Sequence, residues 1–151
     1  MKPLLVLLIV FGLALGLIRL IAGGADYSLA GRIAMSVMLL FTSIGHFRFL
    51  EGMAMMMPHG IPYKKQFVVL TGILEIAAAA LLLIPATVYI TGFLLIIFFL
   101  MILPANIHAA MHHIDFEKAT ATGKGSAYLW FRIPLQFFFI AWVYLFAICL
   151  R

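Results

Sequence analysis

Charge is what this sequence has least of. Ten Lys and Arg and five Asp and Glu are spread over 151 residues, so charged side chains make up 10% of the chain, where soluble domains average about 25%. A chain this poor in charge is neither a solvated disordered segment nor a surface-charged coiled coil. Its cations are scattered and form no stripe, which excludes a nucleic-acid-binding module despite the formal net charge of +5. Cysteine is nearly absent as well. Cys149 stands alone, which rules out an intrachain disulfide and a paired-thiol electron relay. Among Phe146, Ala147, Ile148 and Leu150 it reads as a small apolar filler. There is no nucleotide-binding motif, internal repeat or low-complexity tract, and no period-two alternation of the kind a barrel needs.

What fills the chain instead is apolar: 66% of residues are hydrophobic, with a mean hydropathy of +1.21. A lipid bilayer is the solvent that suits this composition. Five apolar segments, at residues 4–21, 29–47, 66–84, 88–111 and 127–150, each approach the ~20 residues that cross a hydrocarbon core of ~30 Å. Backbone hydrogen bonding in lipid requires such spans to be helices. The expected fold is an all-α integral membrane protein, a single membrane domain over residues 1–151. The first segment has the outline of a signal peptide, Lys2 followed by an apolar run. Arg19, Leu20 and Ile21 stand where a cleavage region is small and neutral, so it is read as a transmembrane helix. Asp26 or Ser28 offers a cap for the next helix. The short Pro85-Ala86-Thr87 connection makes the third and fourth segments antiparallel neighbours, and the two long connections, 48–65 and 112–126, fall on one side. That side carries Lys2, Arg48, Lys64, Lys65, Lys118 and Lys124, against Arg19, Arg32 and Arg151 opposite, an asymmetry that puts the long loops in the cytoplasm.

A charge at the centre of a membrane helix costs about 2.5–3.5 kcal/mol on insertion scales, so such residues are paired and often functional. Glu75 lies midway along the third segment. Arg132 lies one to two turns inside the fifth, with Gln136 at i+4 on the same face. His46 closes the second segment after Thr42 and Ser43. Asn106 and His108 lie near the end of the fourth, followed by His112 and His113. Up-and-down topology carries all of these toward the long-loop end, with Glu75 deeper, as one polar pocket open on one face. Small residues beside Glu75 (Thr71, Gly72, Ala78, Ala79) and beside Asn106 (Ala109, Ala110) permit close helix approach.

Two readings compete for these residues. Arg132, Gln136, Asn106, His108, Glu75 and His46 form a ligand-binding set, with Glu75 and His46 as candidate catalytic proton carriers. Alternatively, Glu75 and Arg132 form a structural ion pair whose spare donors and acceptors the two amides satisfy. Desolvation offsets much of what a buried ion pair gains, which tilts the balance toward function. His108 and His112, at i, i+4, are a chelating pair for a metal, but a third ligand must be assumed and a polar interfacial cap is the plainer reading. A haem held between His46 and a histidine of the fourth segment is weaker still. Met53, Met55, Met56 and Met57 make the second connection a half-buried interfacial segment or a pliable lid, with His59 in its turn. Phe137, Phe138, Phe139 and Trp142 read as packing or lipid-facing groups, and Trp130 as part of an interfacial belt.

Several of these motifs together resemble the DoxX-like family of small bacterial membrane proteins. They are Gly45-His46-Phe47 at a helix end, a loop with Pro58 and Pro62, Thr71-Gly72 with Leu74-Glu75-Ile76, Pro104-Ala105-Asn106, and Arg132-Ile133-Pro134-Leu135-Gln136. The resemblance runs from about Arg32 to Trp142. It implies a four-helix transmembrane core at 29–150, to which 4–22 adds an extra N-terminal helix, five spans in all, in the bacterial cytoplasmic (inner) membrane. The family's recurrent positions fall on His46, Glu75, Asn106, Arg132 and Gln136. Membership implies association with quinone and thiosulfate redox metabolism and with oxidative or electrophile stress. The expected function is then binding of a quinone or another small molecule in a redox pathway, as a subunit of an oxidoreductase that takes electrons from a partner protein. Arg132 and Gln136 would hydrogen-bond a ligand oxygen while Glu75 and His46 exchange protons. The other classes are a small-molecule carrier or receptor, with Arg132 as anion anchor, and a non-catalytic structural subunit.

Overall fold

The computed structural model describes residues 2–58, 60–123 and 125–150. His59, read as a turn residue, and Lys124 and Arg151, counted in the charge asymmetry, lie outside the described residues. Those described form α1 (Lys2–Ala22), α2 (Tyr27–Arg48), α3 (Leu50–Met56), α4 (Lys64–Leu81), α5 (Val88–Met111) and α6 (Ser126–Val143), which continues as a π-helical segment, Tyr144–Cys149. No strand occurs among the described residues. A lone antiparallel bridge between Asp115 and Thr120 pins the 112–125 loop.

Most helix ends lie within a few residues of those expected, and their chemistry explains them. Asp26 is the N-cap of α2, accepting from the Leu29 amide at 2.8 Å, which satisfies one orphan donor of the first turn. The last expected helix divides: beyond Val143 the Leu150 amide closes on the Leu145 carbonyl, five residues back. Helix α3 was not expected, since its residues fall in what reads as a loop. Seven residues are too few to form a helix alone, and this one is held by its neighbours. A Cβ at Gly52 would collide with the Phe116 carbonyl, so the absence of a side chain lets α3 lie directly on the 112–125 loop. Met57 then turns to extended backbone, as the residue before a proline prefers.

Directions follow from pairs in contact. His46 and Thr42 of α2 meet Val68 and Glu75 of α4 respectively. Phe99 of α5 packs on Phe139 of α6, and Gly92 lies under Ala147. The Trp142 indole donates to the Gly31 carbonyl, and Lys2 reaches Glu117 at 3.1 Å. The five long helices therefore alternate in direction. The start of α1, α3 and the 112–125 loop share one end, called here the loop end. The short link from α4 to α5 does not make them principal partners: α4 packs chiefly on α2, and α5 on α6 and its π-helical continuation. Small residues at those two seams, Gly72 and Gly92, allow closer approach than the link itself imposes.

The core joins Leu7, Met35, Met38, Leu39, Leu82, Val88, Phe99, Leu135, Phe139 and Val143. The outer surface is apolar too, with Leu13, Leu17, Leu20, Ile90, Phe93 and Met101 exposed, while Glu75, Asn106 and Gln136 are buried. This inverts the soluble pattern. Four helical stretches, Lys2–Ala22, Tyr27–Arg48, Val88–Met111 and Leu129–Cys149, are long and apolar enough to cross a membrane. Helix α4 is not among them, because its 18 residues carry Lys64, Lys65 and Glu75.

Candidate functional site

The deepest titratable pair lies between α2 and α4. Gly72 creates the space for it, since a Cβ there would come within 2.8 Å of His46 Cβ. Close approach sets His46 Nε2 3.5 Å from Glu75 Oε1, with Glu75 buried and His46 partly so. Thr42 donates to Glu75 Oε2 at 2.9 Å, and His46 Nδ1 lies 3.0 Å from the Val68 carbonyl. A carbonyl oxygen only accepts, so Nδ1 carries a hydrogen. Thr71 Oγ1, 3.0 Å from the same nitrogen, has the Val68 and Phe67 carbonyls within its own reach as acceptors. With Nδ1 turned to a carbonyl, the ring orientation is fixed and Nε2 faces the Glu75 carboxylate. Arg132 is half-buried and close enough for its charge to act on His46.

Asn106 and Gln136 form a second unit, between α5 and α6. Asn106 Nδ2 donates to Gln136 Oε1 at 3.1 Å, and Gln136 Nε2 donates to the Phe99 carbonyl. Pro104 lies in the same helix, but the N–H it lacks would have bonded the Leu100 carbonyl and not that of Phe99. Asn106 Oδ1 is buried with no hydrogen-bond partner among the described residues.

The third feature is a cavity of about 670 Å³ at the loop end. Glu51, Tyr63, Lys64, Lys65, His108 and His112 supply its polar wall, and Ala54, Met55, Ile114 and Ala121 its apolar one. The rings of His108 and His112 stack with centroids 4.1 Å apart, as i, i+4 spacing permits. Nδ1 of each is held by a carbonyl, that of Met56 for His108 and that of His108 for His112. Among the described residues no group of three or more His, Cys, Asp or Glu is placed to hold a metal. Tyr63, at the N-terminus of α4, has φ 53°, a left-handed conformation that costs a non-glycine residue about 1–3 kcal/mol.

The expected single pocket is thus resolved into three units. His46 and Glu75 come together, with Arg132 in electrostatic reach. Asn106 and Gln136 come together elsewhere, although Gln136 is one turn from Arg132. His108 and His112 line the loop-end cavity, whose wall includes none of the other five. The expected packing role of Phe138 and Trp142 matches their contacts, with each other and, for Trp142, with Phe11. Sequence reasoning missed the Val68 and Phe99 carbonyls, which carry no side-chain signal. It also missed Tyr63, Lys64 and Glu51 as cavity residues, because α3 was not expected.

No match was found to a curated protein or to a solved structure. A family model described as Domain of unknown function (DUF8561) matches residues 35–147, beginning inside α2 and leaving α1 outside. Since that match covers both buried polar units and the cavity, the chain belongs to the DUF8561 family.

Proposed function

We propose that this is a five-span protein of the bacterial inner membrane that binds a quinone or a similar small amphipathic molecule in a redox- or stress-linked pathway. The observation that carries the reading is the His46–Glu75 pair, an imidazole and a carboxylate that face each other at 3.5 Å with little exposure. Quinone chemistry couples electron transfer to proton uptake and release, and a His–carboxylate pair set in an apolar bundle suits the proton half. In this reading Arg132 donates to a ligand oxygen, and Glu75 and His46 give or take the proton. Asn106 and Gln136 hold α5 and α6 at the spacing the site needs. Electrons come from a partner protein, which makes the chain an oxidoreductase subunit. The DoxX-like motifs around His46, Glu75, Asn106 and Arg132 support the same assignment. The alternating helix directions and the apolar outer surface support five crossings, with α4 carried across by its contacts with α2 although it is the most polar of the five.

Native mass spectrometry of the gently solubilised protein, followed by identification of the retained molecule, tests this. The expected result is a stoichiometric quinone whose retention falls at least tenfold in Arg132→Ala, the scale of losing a hydrogen bond to a charged group. Glu75→Gln should abolish any quinol-dependent turnover while leaving the melting curve intact. No retained quinone, with both variants melting lower than the parent, would replace this reading with a structural role for the cluster.

A further inference from the structure

The loop-end cavity contains an ammonium group that no carboxylate in its wall neutralises. Lys65 is paired with Glu51 at 2.5 Å. Half-buried Lys64 donates instead to the Met57 carbonyl at 2.9 Å, and no carboxylate among the described residues lies within ion-pair distance of it. A cation beside apolar surface is costly until it is matched. The cavity also continues. Lys65 and Gln66 belong both to its wall and to the head of a second, shallower groove of about 400 Å³, which runs down α4 over Val69, Leu70 and Ile73. These positions follow Gln66 at i+3, i+4 and i+7 and so lie on one helix face, giving a trough about 10 Å long at 1.5 Å per residue. Leu70 and Ile73 are 49% and 51% exposed, so the trough opens sideways from the bundle.

We propose that cavity and groove together bind an anionic phospholipid of the surrounding bilayer, with its phosphate beside Lys64 and one acyl chain along Val69, Leu70 and Ile73. Charge and shape select this occupant. A soluble anion leaves the groove empty, and a neutral quinone leaves Lys64 unmatched. Basic pockets between membrane helices bind lipid head groups in this way. The site contains neither His46 nor Glu75, and the inference shares with the proposed function only the membrane setting.

The test is native mass spectrometry of the full chain titrated in neutral detergent with phosphatidylglycerol or with phosphatidylcholine of the same acyl chains. One phosphatidylglycerol per chain is expected, preferred about fivefold or more, the scale of one lysine near an anionic surface. Lys64→Gln should erase the preference and Lys64→Arg should keep it. Ile73→Ser should weaken both lipids without changing their ratio. Glu75→Gln should leave the preference untouched, so that loss of quinone and loss of lipid are read separately. Equal retention of the two lipids by the unaltered chain overturns the inference, as does a preference that survives Lys64→Gln. Displacement of phosphatidylglycerol by inorganic phosphate at similar concentration would reduce the site to a head-group anion site. Displacement by a quinone in a Lys64-dependent manner would assign the cavity to the redox ligand instead.

Discussion

Asn106 and Gln136 are joined by one hydrogen bond, yet the two amides are not equivalent. Gln136 has both its oxygen and its nitrogen engaged, bridging Asn106 Nδ2 to the Phe99 carbonyl, whereas Asn106 Oδ1 is already without a partner among the described residues. Removing Gln136 strands a buried donor and leaves Phe99 with one acceptor contact fewer. Removing Asn106 strands Gln136 Oε1 but deletes an orphan with the bond, and it breaks one hydrogen bond where removing Gln136 breaks two. Leaving a buried group unsatisfied costs about 1–3 kcal/mol, while an interhelical hydrogen bond in membrane proteins averages about 0.6. Gln136→Leu is therefore expected to destabilise by about 1–2 kcal/mol and Asn106→Leu by less than 1, as read from denaturant unfolding in detergent; equal losses would contradict this. The same pair shows what was legible in the sequence at this scale. A Glu, an Arg or an amide inside an apolar run is conspicuous because lipid penalises it, so every side chain of the two buried units had been singled out. Their backbone partners had not, because every residue carries a carbonyl and only the helix geometry decides which one is offered.

Helix seams decide which polar groups meet, and glycine decides how near the seams come. At Gly72 a Cβ would press on His46 Cβ at 2.8 Å, whereas at Gly12 and Gly16 of α1 it would meet nothing within 4 Å. The same substitution should then have opposite signs. Gly72→Ala is expected to cost about 1–3 kcal/mol through overpacking, while Gly12→Ala should be neutral or stabilising by up to about 1 kcal/mol, because alanine loses less backbone entropy. Thermal unfolding of the two variants side by side checks this. If Gly72→Ala melts no lower than Gly12→Ala, the α2–α4 seam is looser than its geometry implies. The long helices were readable because unbroken apolar runs leave few alternatives in lipid. Helix α3 was not, since seven residues carry no usable period and their helicity is imposed by the 112–125 loop lying against Gly52. With α3 unseen, the cavity between it, α4 and α5 was unseen too, and His108 and His112 were grouped with residues that the helices in fact hold apart.

Across the whole molecule, the alternation of five long helices makes a prediction about sides. Lys2 of α1 meets Glu117, Gly52 of α3 lies on Phe116, and His108 of α5 meets the Met56 carbonyl, so the start of α1, α3 and the 112–125 loop gather at one end. The turn of residues 23–26 and the link of residues 82–87 lie at the other, where the Trp142 indole meets Gly31. Helix α4 is the uncertain crossing by composition alone, with three charges in 18 residues. Two of these, Lys64 and Lys65, are in its first turn, where a lysine stem can carry its ammonium toward the interface, and Glu75 is matched by His46. Only Glu75 then has to be carried to mid-depth, where the His46 ring and the Thr42 hydroxyl meet its carboxylate, so α4 should cross with the others. The check is to replace Cys149 by alanine, introduce single cysteines at Ala25, Tyr63, Ala86 and Thr122, and label them with a membrane-impermeant thiol reagent in intact and in permeabilised cells. Tyr63→Cys and Thr122→Cys should label from one side, and Ala25→Cys and Ala86→Cys from the other. Lysine and arginine are expected to favour the cytoplasmic side, so the Tyr63 and Thr122 positions at the loop end should react only after permeabilisation. If Tyr63→Cys labels together with Ala86→Cys, α4 does not cross, the His46–Glu75 pair lies outside the hydrocarbon, and the membrane-buried proton site goes with it.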